Sequence, residues 1–595
     1  MSRAEVRALG WDECDVIIVS GDAYVDHPSF GSAVIVRVLL DAGYRVGVIA
    51  QPDWKVRDDF ERLGRPRLFF GVTAGNVDSM LSSYSPGMSA RKRDDYSPGG
   101  RPRLRPYRAT TVYCNRLRES FHDVPLVIGG IEASLRRLAH YDYWDDAVRG
   151  SILTDTRADV LTYGMAELQV VEIAHRLETG DELDGIRGTC VMRRDAPDAL
   201  VLPGLDEVRT DRRKFNEAFS LWAGESDSSK GRVVAQRHGD RYVVQYPIRE
   251  PMSKDQLDRI YDLPYSRVAH PSYKEPVPAL ETVKFSITSH RGCLGSCTFC
   301  SLRAHQGRLI QWRSEASIVR EARAIARMPG FKGHITDVGG PTANMYAASC
   351  AKMRSGSTCG DRECTWPVKC PNLEIDYERE LAVLDAVARV PGVKKVSIGT
   401  GIRHDLIQGS AGKRYLEQLC GHHVSGQLRV APEHVSGRVL DAMRKAGHRT
   451  YVEFRERFRE ASNRAGKKQY LIPYFISGHP GATLEDAVEL AEYLVRGERF
   501  FIRQVQQFTP LPMTAAGAAY HTGQDPFTGR ALHVARDPGE QKLQRALLQL
   551  QVEANYRLAL AELERLDRAD LARRVRLLRP MLARAWERAR QRVSP

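Results

Sequence analysis

Three cysteines fall within eight residues of this 595-residue chain: Cys293, Cys297 and Cys300, in Ser289-His290-Arg291-Gly292-Cys293-Leu294-Gly295-Ser296-Cys297-Thr298-Phe299-Cys300. Thiolates are soft ligands that select zinc, copper(I) or iron–sulfur clusters. A closed zinc site or a fully ligated four-iron cluster takes four protein ligands, and this loop offers three. The chain must therefore wrap around a metal and leave one position to another donor. Gly292 and Gly295 can take the positive φ values that such wrapping demands. Two solutions fit the residues alone: zinc completed by His290 or His305, or an iron–sulfur cluster with an outside ligand.

The stretch around this loop alternates strand and helix. Val283, Phe285 and Ile287 have the period of a strand and lead straight into it. Ile318, Val319, Ala322, Ile325 and Ala326 then recur at helical spacing, with Gly330 as a stop. Further strand-like runs lie near 333–338, 394–399, 427–431, 469–476 and 501–508. Helical patterns such as Leu381-Leu384-Val387 and Ala487-Leu490-Ala491-Leu494 separate them. Six strands with intervening helices predict a parallel sheet closed into a partial (β/α)6 barrel. Sites in such sheets lie at the C-terminal ends of strands, where this loop stands.

Upstream, Val16-Ile17-Ile18-Val19, the helical Val34-Ile35-Val38-Leu39 and Tyr44–Ala50 make a βαβ unit. Later strands at 125–130 and 158–164 extend it into a doubly wound α/β domain over 1–250, whose ligand end lies beyond the strand carboxyl ends. Proline-rich 251–280 reads as a linker, 281–520 as the barrel, and 521–595 as a helical, Arg-rich extension. Residues 88–108 read as a basic, solvated loop.

A second set, Cys350, Cys359, Cys364 and Cys370, has the spacing C-x8-C-x4-C-x5-C among Gly356, Gly360 and Pro367. Four thiols in loop-like sequence predict a second metal, either structural zinc or an auxiliary iron–sulfur cluster. Seven of the eleven cysteines lie between Cys293 and Cys370, a pattern of metal ligation in a reducing compartment rather than of a disulfide framework. Cys14, Cys114, Cys190 and Cys420 read as buried thiols. No apolar run reaches the roughly 18 residues of a membrane span, and the first residues lack a signal-peptide pattern. A cytoplasmic enzyme with no membrane partner is expected. The net charge of +14 admits a nucleic-acid partner.

The cysteine loop, with Phe299 directly before the third cysteine, resembles the signature of radical S-adenosylmethionine (SAM) enzymes. Longer strings carry a narrower resemblance: Val25–Gly31, Thr73-Ala74-Gly75-Asn76, Gly129–Arg137, Ala139–Trp144, Gly340–Tyr346 and Tyr470–Pro480. They closely resemble the YgiQ-type radical SAM family over nearly the whole chain. The resemblance implies a [4Fe–4S] cluster on Cys293, Cys297 and Cys300 with SAM on the open iron. It also implies SAM contacts at Phe299 and the Gly339-Gly340 turn, and an electron donor such as flavodoxin or ferredoxin. Ser477–Thr483 resembles the turn that frames the adenosine in several radical SAM groups, with His479 as a candidate proton donor. Thr400, Arg403, Arg429, Glu433 and His434 are candidates to hold SAM or substrate.

The N-terminal unit resembles the cobalamin-binding domains that precede many radical SAM barrels. The usual Asp-x-His-x-x-Gly ligand motif is replaced by Asp26-His27-Pro28-Ser29-Phe30-Gly31, which argues against cobalamin. The polar string Glu132, Arg136, Arg137, His140, Tyr141 and Asp142 is expected to face the substrate or the barrel mouth, with a domain-interface network as the alternative. The leading expectation is thus SAM cleavage and hydrogen abstraction from an unidentified substrate. The alternatives are a methyl- or methylthiotransferase acting on RNA or ribosomal protein, and a non-catalytic, zinc-stabilised RNA-binding protein.

Overall fold

A computed structural model describes residues 1–196, 198–226, 231–360, 362–497 and 505–591. In the N-terminal unit, Val46–Ala50, Val16–Ser20, Phe69–Thr73, Leu126–Gly129 and Val160–Thr162 lie side by side in that order, all parallel. Alternate side chains go to opposite faces. Ile17 and Val19 pack with Tyr113 and Leu117 of helix Ala109–Ser120. Val16 and Ile18 pack with Leu39 of helix Gly31–Asp41 and Ile173 of helix Glu167–Thr179. Both faces are therefore dry, as a doubly wound sheet requires. Each such fully buried aliphatic side chain contributes roughly 1.5–3 kcal/mol.

The sheet extends further than expected. Thr189–Arg193 adds antiparallel to the fifth strand, followed by Arg241–Gln245, Val234–His238 and Leu200–Leu202. A Gly-Asp pair between two strand-like runs is a hairpin signal. Here it is Gly239-Asp240, with Gly239 at φ 67°.

The barrel wall is parallel throughout. Ser286–Thr288 pairs with Asp337–Gly339, and the adjacent His334–Ile335 pairs with Lys395–Val396. Ile402 bridges Val430, Gln427–Glu433 pairs with Tyr470–Ser477, and that strand's end pairs with Gln506–Gln507. Of the strand expected over 501–508, residues 501–504 lie outside the described residues. The first strand begins later than expected, because Pro278–Val283 forms a helix with proline in its first turn. Ile287, Ile335, Val338, Val396 and Leu428 of the wall share one core with Ile318, Leu384, Leu416 and Phe454 of the outer helices.

Residues 251–280 are a strap rather than a loose linker. Helix Lys254–Asp262 is closed by a Ser253–Gln256 capping box, and its Tyr261 lies under the guanidinium groups of Arg291 and Arg313. Arg267, at φ 56°, is buried and donates to His27 Nε2 (2.9 Å), to the Lys284 and Ser286 carbonyls (2.9 and 3.0 Å) and to Glu321. Proline content marked the turns of this segment and hid its buried ionic contacts. The 88–108 stretch is likewise anchored by Arg105, buried between Asp22 (2.9 Å) and Asp94 (2.8 Å).

The C-terminal helices Pro538–Leu547, Glu553–Arg565, Ala569–Arg576 and Arg579–Gln591 pack on helix Leu484–Gly497 through Leu543, Tyr556, Leu571, Val575, Leu582 and Trp586. Arg574 pairs with Glu492 and Arg576 with Glu564, so these described helices form an amphipathic buttress packed on the barrel. No helix among the described residues is long and apolar enough to cross a membrane.

Candidate radical SAM site

The first barrel strand ends at Thr288, and the short ribbon His290–Arg291, paired with Gln311–Trp312, delivers the chain into the cysteine loop. Gly292, at φ 85°, turns that corner; a Cβ there would collide with the Leu309 carbonyl. Gly295 sits among the thiols. A Cβ on it would stand 3.3 Å from Cys293 Sγ, 3.8 Å from Cys297 Sγ and 2.7 Å from Arg403 Nη1. The Gly295 amide donates to Cys293 Sγ (3.4 Å). Burial raises the Cys293 thiol and pushes Cys300 up to about 12. A bound metal reverses this preference, because its charge stabilises the thiolate.

Arg403, from the end of the third barrel position, reaches within 3.8 Å of Cys297 Sγ. It is buried and forks onto Asp405 (2.6 Å). Burial lowers the guanidinium pKa, but Asp405 more than offsets this and holds it above its usual value. Sequence reasoning grouped Arg403 with SAM and substrate contacts and missed its place beside a cysteine 106 residues away. Nothing local in the sequence encodes that contact. Met345 Sδ lies 3.8 Å from Cys293 Sγ, also unforeseen.

The loop is clamped from the N-terminal unit. Buried Arg291 pairs with Glu167 at 2.6 Å. Helix Leu302–Gln306, directly after Cys300, sets His305 Nδ1 3.1 Å from Ser134 Oγ. Phe299 packs edge-on to His479, whose ring lies 3.2 Å from Thr298 Oγ1 and 2.7 Å from the Pro480 carbonyl. Burial lowers the His479 pKa to about 3, which favours the neutral ring in this packed position.

The expected zinc histidines are also engaged elsewhere. His290 Nε2 contacts the Thr342 carbonyl (3.0 Å) and its Nδ1 contacts Ser289 Oγ (2.9 Å), while His305 is held through Nδ1. Among the described residues, no three His, Cys, Asp or Glu side chains already stand around one metal position.

The Gly339-Gly340 turn ends the second barrel strand against the cysteine ribbon. Ser289 donates to the Gly339 carbonyl (2.7 Å), and a Gly340 Cβ would lie 2.6 Å from both the His290 carbonyl oxygen and Nε2. Asp337 fixes the third position by accepting from the Gly399 and Thr400 amides (2.8 and 3.1 Å). Arg429 donates to the Gly399 carbonyl (2.8 Å). Glu433 closes the fourth strand at φ 68°, buried, with Lys445 at 3.9 Å. Burial raises its carboxyl, and one oxygen has no hydrogen-bond partner. His434 is buried, with its Nδ1 accepting from Ser436.

The second cysteine set packs beside the first. Cys364, Cys370 and Cys293 all border the apolar cluster of Leu294, Met345 and Leu373. Glu363 accepts two bonds from Arg303 (2.8 Å each), tying the second loop to the helix after Cys300.

The N-terminal candidates form a different picture. Glu132 is buried and accepts from the Ser79 and Thr110 amides (2.8 and 3.0 Å), and Arg136 pairs with Asp78. Arg137 stacks on Tyr163 and Trp222, and Asp142 pairs with Arg108. Part of the string meets the rest of the chain, with Tyr141 stacked on His521 and Ser134 beside His305, which is the domain-interface alternative. His27 is buried on Arg267, and burial with that charge keeps its imidazole well below the usual value.

Comparison with known proteins fits this geometry. Residues 1–286 match the radical SAM N-terminal model, residues 287–494 the radical SAM superfamily, and residues 503–592 a domain of unknown function. A UPF0313 protein of Methanocella arvoryzae is 52% identical over 577 residues, covering 96% of each chain. One of Geobacter sulfurreducens is 48% identical over 581 residues, covering 96% of this chain and 95% of its own. Among solved structures, the radical SAM methyltransferase TsrM of Kitasatospora setae aligns with a TM-score of 0.47 at 14% identity, over 80% of this chain and 70% of its own. The non-catalytic zinc reading gives way to these matches: the chain belongs to the UPF0313, or YgiQ-type, family of radical SAM enzymes.

Proposed function

We propose that Cys293, Cys297 and Cys300 hold a [4Fe–4S] cluster, that SAM completes it, and that the enzyme abstracts hydrogen from an unreactive carbon of its substrate. The observation that carries this reading is the loop itself: three thiols leaving the first barrel strand around a glycine that has no room for a Cβ. The donor set fits, because thiolates are the usual protein ligands of such clusters. When bound, the cluster supplies the electron that cleaves SAM to methionine and a carbon radical.

The chain's own residues do the rest. Arg403 places a fixed positive charge 3.8 Å from Cys297 Sγ. Arg291–Glu167 and Phe299–His479 hold the two ends of the loop and keep water out. The Gly339-Gly340 turn offers close backbone approach to the amino end of SAM. Buried Glu433 presents an unpaired carboxylate oxygen. An electron donor of the flavodoxin or ferredoxin type is the partner this chemistry calls for.

The test is anaerobic reconstitution with iron and sulfide, then SAM and dithionite, reading 5′-deoxyadenosine. Deoxyadenosine release that disappears in Cys297→Ala, with the loss of about four irons per chain, is the expected result. Unchanged iron content in that variant would overturn the ligand assignment.

A further inference from the structure

The segment from Cys350 to Asn372 carries little regular structure among its described residues. Its ends are pinned by a two-way backbone bridge, Ser349 to Glu374 (3.1 and 2.9 Å). Between them, regular structure amounts to one helical turn, Ala351–Arg354. Of its described residues only Thr358 and Thr365 are buried, and Val368 is 74% exposed. Its apolar contacts with the interior are few: Met353, Cys364 and Cys370 lie half-buried against the cluster of Leu294, Met345 and Leu373. Long stretches without structure inside compact domains are uncommon, and chains that cannot build a core are commonly stapled by metals or disulfides.

This excursion nevertheless makes specific contacts. Cys359 and Arg362 offer carbonyls to Arg308 (3.2 and 3.3 Å), Glu363 grips Arg303, and Trp366 lies under Arg444. Metal-ligating chemistry is concentrated in its four thiols, Cys350, Cys359, Cys364 and Cys370. All four cysteines are free and half-buried, and the Cys370 amide donates to the Cys364 carbonyl (2.9 Å).

We propose that Cys350, Cys359, Cys364 and Cys370 bind one metal centre through four thiolates, either a zinc ion or a four-iron cluster. No three of them already share a metal position, so binding draws them together, and each thiol releases its proton to solvent as it ligates. The centre would fix Glu363 against Arg303, three residues beyond Cys300, and so brace the cysteine loop of the catalytic site.

The experiment uses full-length protein in which Cys293, Cys297 and Cys300 are all alanine, so the first cluster cannot contribute. Zinc, iron and sulfide are measured per chain after anaerobic purification. About one zinc, or about four irons with as many sulfides, supports the proposal. The two results distinguish a staple from a second cluster. Less than a tenth of either overturns it, and so does a Cys364→Ser change that leaves the metal content intact. Because these variants can misfold, the natural chain supplies the second readout. In it, the four thiols should resist alkylation, followed by mass spectrometry, and become reactive at least tenfold faster after chelation. Equal reactivity before and after chelation overturns the proposal as well.

Discussion

The molecule contains two parallel sheets whose strand C-termini are the natural places for a ligand, and they are finished in opposite ways. Beyond the N-terminal sheet the space is occupied by the protein's own charges. Asp22 and Asp94 close on Arg105, Asp78 closes on Arg136, and His27 is held by Arg267. At the barrel the same position carries glycine and cysteine, with one guanidinium beside a thiol and a buried carboxylate oxygen left without a partner. Both ends keep buried polar atoms without a hydrogen-bond partner, Asp22 Oδ1 and Arg105 Nε at the first and Glu433 Oε2 at the second. What separates them is chemistry: the first is lined by paired charges, the second by three thiols that can take a soft metal.

The sharpest way to break this contrast is to cut one buried arginine in each half. Removing one partner of a buried ion pair costs about 3–5 kcal/mol, so Arg403→Ala and Arg105→Ala should both lower the denaturation midpoint strongly. Only Arg403→Ala should also cut iron retention after reconstitution. Equal iron loss in the two variants would erase the distinction.

A smaller effect is expected from acid. Burial lowers His404 and His434 to about 4 and His479 to about 3, against 6.5 when exposed. The fold therefore holds these rings neutral while the unfolded chain takes up protons. Their contribution is complete above pH 6.5 and falls as the pH drops from there towards 4. Each costs up to about 1.4 kcal/mol per pH unit in that window. Thermal midpoints at pH 7 and pH 5 check this, and His479→Gln should flatten the slope; an identical slope in the variant contradicts it.

Smaller again is Gly340→Ala, whose Cβ must displace the His290 carbonyl or ring. It should weaken SAM binding by roughly tenfold, about 1.4 kcal/mol, in calorimetry, with iron content preserved. The least change of all is expected when hydroxocobalamin is added to the natural chain. No shift of its absorption band should appear, and a shift abolished by His27→Ala would reopen the N-terminal sheet as a cofactor site.

Much of this was legible in the residues, for identifiable reasons. The Val16–Val19 run, the helix after it and the barrel strands at 427–431 and 469–476 were read from apolar periodicity, because both faces of a parallel sheet must be dry. The cysteine loop was read from ligand chemistry and local spacing. Illegible were the contacts that close over long sequence distances: Arg403 on Cys297, Arg291 on Glu167 and Glu363 on Arg303. Each involves charged residues that ordinarily belong to a surface, and burial in company is what makes them structural. The strap at 254–270 was misread for the same cause. Its prolines spoke of a linker, while Tyr261 and Arg267 act only through partners in both halves.

Arg267 carries a consequence for how the protein can be taken apart. One guanidinium touches a histidine of the first sheet, two carbonyls at the entrance of the first barrel strand, and the carboxylate of Glu321, which Arg313 also holds. A barrel severed before residue 281 would lose a cation from beneath its first strand. An N-terminal half alone would bury the same cation without its acid. Neither fragment inherits a complete interior, so evolution could not have exchanged the front half of this enzyme as a cassette without rewriting the joint.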